Sequence, residues 1–149
     1  MNTAPHYHYI MIIEDARDER DAAQLILEDD GYHVIAVASG EEALAYMRMV
    51  DPLPCMILLD LMMHGTNGWE FRTEQLRDAR LASIPIVVCS GDGRLPEKAS
   101  VLGIVGQLEK PIDTTALLAL VTQHCHRAEG WHPVAAGEQP GNGRRAAPS

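Results

Sequence analysis

Cys55-Met56-Ile57-Leu58-Leu59-Asp60 is the most apolar run of the chain, and it stops on a carboxylate. An uncharged run of this length ending in an acid predicts a buried strand over residues 55–60 with Asp60 at its carboxyl end. A carboxylate in that position is costly to desolvate unless it is paired, hydrogen-bonded or bound to a cation. Outward from this run, three more strand-like stretches end on polar groups. Ile10-Met11-Ile12-Ile13 leads into Glu14-Asp15, residues 84–89 lead into Ser90, and residues 103–109 lead into Lys110-Pro111. An acid pair, an acid, a hydroxyl and an ammonium therefore close four predicted strands.

Helical patterns fill the intervals. Asp15 is placed to cap a helix whose apolar stripe is Ala22, Leu25 and Ile26, with Gly31 at its end. Residues 32–37 read as a strand. Ser39-Gly40-Glu41-Glu42 has the form of a capping box and opens a helix bearing Ala43, Leu44 and Met47, closed by Asp51-Pro52. Gly68 starts a more polar helix to about Arg80, and Pro96 suits the first turn of a short helix ending near Gly103. Asp113 caps the last helix, with Leu117, Leu118, Leu120 and Val121 facing inward. Strands alternating with helices predict an α/β fold, a doubly wound parallel five-stranded sheet with helices on both faces. Ligands of such sheets bind outside the carboxyl ends of the strands, where the four polar endings fall.

The chain has 149 residues, 46% hydrophobic and 22% charged, which describes one globular domain. Residues 1–8 read as a lead, 9–126 as the domain, and 127–149, rich in Gly, Pro, Ala and Arg, as a disordered tail. A net charge of -9 makes the domain a poor phosphate-backbone binder, so no nucleic-acid partner is expected. Three cysteines, Cys55, Cys89 and Cys125, lie within or beside apolar segments without metal-type spacing; they are expected to be free thiols in a reducing compartment. Neither a signal peptide nor an apolar run of the ~20 residues needed to span a bilayer is present, so the expected location is cytoplasmic, without a membrane partner.

Glu14, Asp15 and Asp60 together would repel one another unless a hard divalent cation intervened, and magnesium suits carboxylate and phosphate oxygens. A carboxylate can attack phosphorus to form an aspartyl phosphate, with a lysine and hydrogen-bond donors stabilising the transferred group. Lys110 supplies the charge, Ser90 a hydroxyl, and Gly91 an amide with no side chain to block it. Lys110 is one of only two lysines in a chain with ten arginines, which favours a need for a compact ammonium before Pro111.

Ile12-Ile13-Glu14-Asp15, residues 58–63 with Asn67-Gly68, Val88-Cys89-Ser90-Gly91 and Lys110-Pro111 resemble the motifs of a two-component response-regulator receiver domain. The resemblance covers residues 9–124 and implies a (βα)5, flavodoxin-like fold with strand order 2-1-3-4-5. It implies Asp60 as phosphoacceptor from a histidine kinase or a histidine phosphotransfer protein, in a Mg2+-dependent reaction. Glu14 and Asp15 correspond to the metal-binding acids, Asp15, Asp60 and the Met62 backbone carbonyl as direct ligands and Glu14 partly through water; Ser90 and Lys110 correspond to the residues that contact the phosphoryl group, and Lys110-Pro111 to a cis peptide. Output is expected by binding a downstream effector protein or by phosphorelay, from a stand-alone receiver that is a monomer or a phosphorylation-dependent dimer. Such a domain is not an enzyme beyond its own phosphorylation and slow self-dephosphorylation; a phosphatase of this chemistry would need a second acid where Met62 stands. Gln107 replaces the usual aromatic three residues before the lysine, and His64 the usual proline in the loop after Asp60. The first departure keeps a second reading open, a phosphorylation-independent protein-binding module on the same fold.

Overall fold

Tyr9–Ile13 (β1) is buried at every position because its residues feed two cores in alternation: Met11 and Ile13 pack on one face, Ile10 and Ile12 on the other. The computed structural model describes residues 9–63, 68–91, 104–125 and the backbone of 134–135. The other elements in chain order are α1 (Arg17–Asp29), β2 (His33–Val37), α2 (Gly40–Met47), β3 (Val50–Asp51), β4 (Met56–Asp60), α3 (Gly68–Arg77), β5 (Ile86–Ser90), β6 (Gly106–Glu109), α4 (Thr114–His124) and β7 (Val134–Ala135). The main sheet is parallel, in the order β2-β1-β4-β5-β6. With the two-residue β3 set aside, this is the expected 2-1-3-4-5 arrangement.

The split continues across the sheet. Ile57, Leu59, Ile86 and Val88 join the core under α2 and α3, while Met56, Leu58, Val87 and Cys89 join the core under α1 and α4. Each such side chain, fully buried, contributes roughly 1.5–3 kcal/mol. Two cores explain why the strands read as unbroken apolar runs instead of alternating ones.

Local signals hold at two helix starts. Ser39 Oγ accepts from the Glu42 amide at 3.0 Å while Glu42 reaches back to the Ala38 amide, and Asp113 accepts from the Ala116 amide at 2.8 Å. At α1 they do not. Its N-cap residue is Ala16, not Asp15, and one oxygen of Asp15 lies beside those of Glu14 and Asp60. Ala23 and Leu27 form the buried stripe while Leu25 is 67% exposed, one residue out of phase with the expected face. Residues 17–21 are all charged, so the start of the helix carries no apolar period to fix its rotation. Gly31, at φ 94°, closes the helix in the left-handed conformation expected of it.

The expectation for the cysteines is corrected. Cys55 and Cys125 form a disulfide with a Cα–Cα distance of 5.7 Å; of the three cysteines only Cys89 is a free thiol, and it is buried. The sequence separation of 70 hides a contact that the fold makes, between the amino end of β4 and the carboxyl end of α4. Within residues 127–149, the described Val134–Ala135 pairs antiparallel with Val50–Asp51. The short helix expected after Pro96, and His64 and Asn67, lie outside the described residues. Among the described residues no helix is long and apolar enough to cross a membrane.

Candidate functional site

At the carboxyl edge of the sheet, the ends of β1, β4, β5 and β6 converge as the topology requires. Glu14 is held by its backbone: its amide donates to Val37 O at 3.1 Å, and its carbonyl accepts from Arg20 Nη1 at 2.9 Å. Its Oε2 accepts from the Ala16 amide at 3.2 Å, at the start of α1. One oxygen from each of Glu14, Asp15 and Asp60 lies within 4.8 Å of the others, Glu14 and Asp60 being buried and Asp15 half-buried. Hard oxygen donors this close in a partly desolvated pocket fit a small divalent cation.

Lys110 enters from the other side. Its amide donates to Ser90 O at 2.9 Å, and the peptide to Pro111 is cis, as expected. Its Nζ lies 2.8 Å from Glu14 Oε1 and 3.3 Å from Asp60 Oδ1, and it also bonds the Glu19 carboxylate. Burial alone would lower the lysine's affinity for its proton, but the Glu14 and Glu19 hydrogen bonds and the Asp60 charge outweigh it, so Lys110 stays protonated well above its ordinary range. Burial, reinforced by Asp60, pushes Glu14 up to about 7 despite the opposing Lys110. The acid cluster is therefore short of positive charge.

Ser90 is buried at the end of β5, one residue beyond Cys89, the register partner of Asp60. The Met62 amide donates to Asp60 Oδ1 at 3.2 Å, so the backbone at 62 runs beside the acid. A side chain at Gly91 would meet nothing within 4 Å; open space, more than the glycine itself, leaves its amide approachable. Gly68 is needed for another reason. A Cβ there would sit 2.9 Å from Asp60 O and from Leu61 Cα, so α3 starts against the backbone of the acid. A cavity of about 520 Å³ opens inward from the cluster between α1 and the sheet, floored by Ile12, Leu58 and Cys89.

Residues 10–122 match the family model described as the response regulator receiver domain. The chain belongs to that family. Receiver domains are signalling modules, and phosphorylation and magnesium dependence are general properties of the family. Among its relatives, Protein PilH of Pseudomonas aeruginosa is 26% identical over 114 residues, 75% of this chain and 93% of PilH. Response regulator Rre1 of Synechocystis is 30% identical over 75% of this chain, which spans only 49% of Rre1. Among solved structures, a response regulator receiver protein from Pseudomonas putida superposes with TM-score 0.73 at 28% identity, covering 80% of this chain and 99% of that one. The chemotaxis protein CheY4 of Vibrio cholerae gives 0.71 at 25% identity, covering 80% and 99%.

All the receiver residues expected from the sequence and described in the structure lie at this edge. Glu19 was missed. It follows Asp15 by four residues, one helical turn, and that spacing is the only signal that could have found it. Gln107 is exposed on β6.

Proposed function

We propose that this receiver accepts a phosphoryl group on Asp60 from a histidine kinase or histidine phosphotransfer protein, and signals by partner binding or by passing the group on. The reading rests on one observation above the others: the Lys110 ammonium is 3.3 Å from the carboxylate at the centre of a three-acid cluster. Glu14, Asp15, Asp60 and the Met62 carbonyl would hold Mg2+. Bound there, the ion would offset the acid charges and those of the phosphoryl oxygens. An Asp60 oxygen attacks phosphorus as the bond to the donor imidazole breaks. Lys110 then exchanges carboxylate contacts for a phosphoryl oxygen, and Ser90 donates its hydroxyl to another. Those new contacts exist only in the phosphorylated state, so they bias the chain toward a second arrangement at the edge formed by β5 and β6.

Incubation with magnesium and acetyl phosphate should add one phosphoryl mass to the wild type and none to Asp60→Asn. Absence of the adduct, where another receiver is labelled in parallel, would favour the phosphorylation-independent binding module. Exposed Gln107, which offers no aromatic ring to move inward, is the feature that supports this second reading. Comparing partner affinity with and without beryllofluoride separates the two: a change on activation supports phosphorylation-dependent output, and equal affinities support the static module.

A further inference from the structure

At the opposite end of the sheet, two sulfurs are fixed by rigid elements. Cys55 immediately precedes β4, its amide donating to Tyr9 O at 2.8 Å; Cys125 caps α4, its amide donating to Val121 O at 2.8 Å. We propose that Cys55 and Cys125 are a reversible thiol–disulfide site, oxidised by low-molecular-weight disulfides of the glutathione class, that fastens the carboxyl end of α4 to the amino end of β4.

Three observations carry this. The Cα–Cα distance of 5.7 Å falls inside the range a disulfide spans, so the backbone need not move when the bond forms or opens. The two residues differ in exposure: Cys55 is half-buried, whereas Cys125 is 2% exposed. Cys55 is thus the sulfur an external disulfide reaches, and Cys125 is the one that resolves it. Finally, a reduced Cys55 has an acceptor for its S–H, because its Sγ lies 3.1 Å from Tyr9 O. The third cysteine takes no part. Cys89 is buried on the cavity floor beside Asp60, away from the amino end of β4, and burial pushes its thiol up.

The step balances as ordinary exchange. The Cys55 thiolate attacks one sulfur of the small disulfide and expels a thiolate; Cys125 gives up its proton and attacks Cys55 Sγ, expelling the second. Two electrons pass from the protein sulfurs to the small disulfide, which leaves as two thiols. The bond joins the residue that caps α4 to the residue that precedes β4.

The proposal does not depend on the chemistry at Asp60 and is tested without it. The three cysteines fall in separate tryptic peptides, residues 49–72, 81–94 and 99–127. The full chain is equilibrated in glutathione buffers from reducing to oxidising, then denatured and alkylated. Peptides 49–72 and 99–127 should pass together from alkylated to cross-linked in one reversible transition, while 81–94 stays alkylated throughout. In Cys55→Ser, Cys125 should remain alkylatable at every ratio. Any one of three results would overturn the proposal: both thiols free at the most oxidising ratio, a cross-link that reduced glutathione does not open, or only a mixed disulfide at Cys55.

Discussion

Lys110 shares one ammonium among Glu14, Glu19 and Asp60, and under the proposed phosphorylation this division would set how readily Asp60 reacts. Glu19 adds negative charge where a phosphoryl dianion must arrive and draws the ammonium toward α1. A half-exposed ion pair is worth up to about 1 kcal/mol, so Glu19→Gln should raise the rate of labelling by acetyl phosphate roughly 2- to 5-fold. The variant should also respond less to added salt. An unchanged rate and salt response would show that Glu19 is a bystander. Glu14 makes a second prediction. Its pKa is raised from 4.5 to about 7, first by burial, so the folded chain binds this proton more tightly than the unfolded one. In metal-free protein the stability linked to Glu14 is therefore fully present below 4.5 and is lost as pH rises toward 7. Magnesium must displace that proton, so its affinity, measured by titration calorimetry, should be weaker near pH 6 than near pH 8. Equal affinities would contradict the assignment of Glu14 to the metal site.

At the scale of elements, the strands and their polar ends were legible because burial on two faces demands an unbroken apolar run, and a carboxylate ending such a run needs a partner. The phase of α1 was not, since its first turns are entirely charged and Leu25 mimics a core position. Glu19 was illegible for a related reason: exposed acids are common on helices, and only the fold reveals that this one reaches Lys110. Helix α3 shows how an element can depend on polar contacts that no hydrophobic period announces. Gln75, fully buried, accepts from Arg72 at 2.7 Å and donates to the carbonyls of Leu81 and Ile84, joining α3 to the approach of β5. Gln75→Ala would leave an arginine and two carbonyls without these partners. It should cost about 2–4 kcal/mol in urea unfolding, whereas a cost below about 0.5 kcal/mol would show that water replaces the amide. Gly68→Ala presses on the Asp60 backbone itself and should slow labelling as well as cost roughly 1–3 kcal/mol. A loss of stability with unchanged labelling would mean that the strain relaxes away from Asp60.

Across the whole molecule, the sheet separates two chemistries. Asp60 closes β4 at one end and Cys55 precedes it at the other, about 16 Å away at strand rise. The contact of Cys55 with Cys125 could not be read from residues 70 apart, nor could the pairing of Val134–Ala135 with Val50–Asp51, because both join segments only after the layers have assembled. Separation predicts independence: reduced and oxidised protein should be labelled by acetyl phosphate at rates within about twofold, since no charge near Asp60 changes. A larger difference would mean that the two ends are coupled through β4. The acceptor residue itself can be located chemically. Borohydride reduces an acyl phosphate to an alcohol, so phosphorylated protein treated with tritiated borohydride should carry its label as homoserine at position 60, and only in the presence of magnesium. Label at any other carboxylate, or label that forms equally well in chelator, would contradict the account.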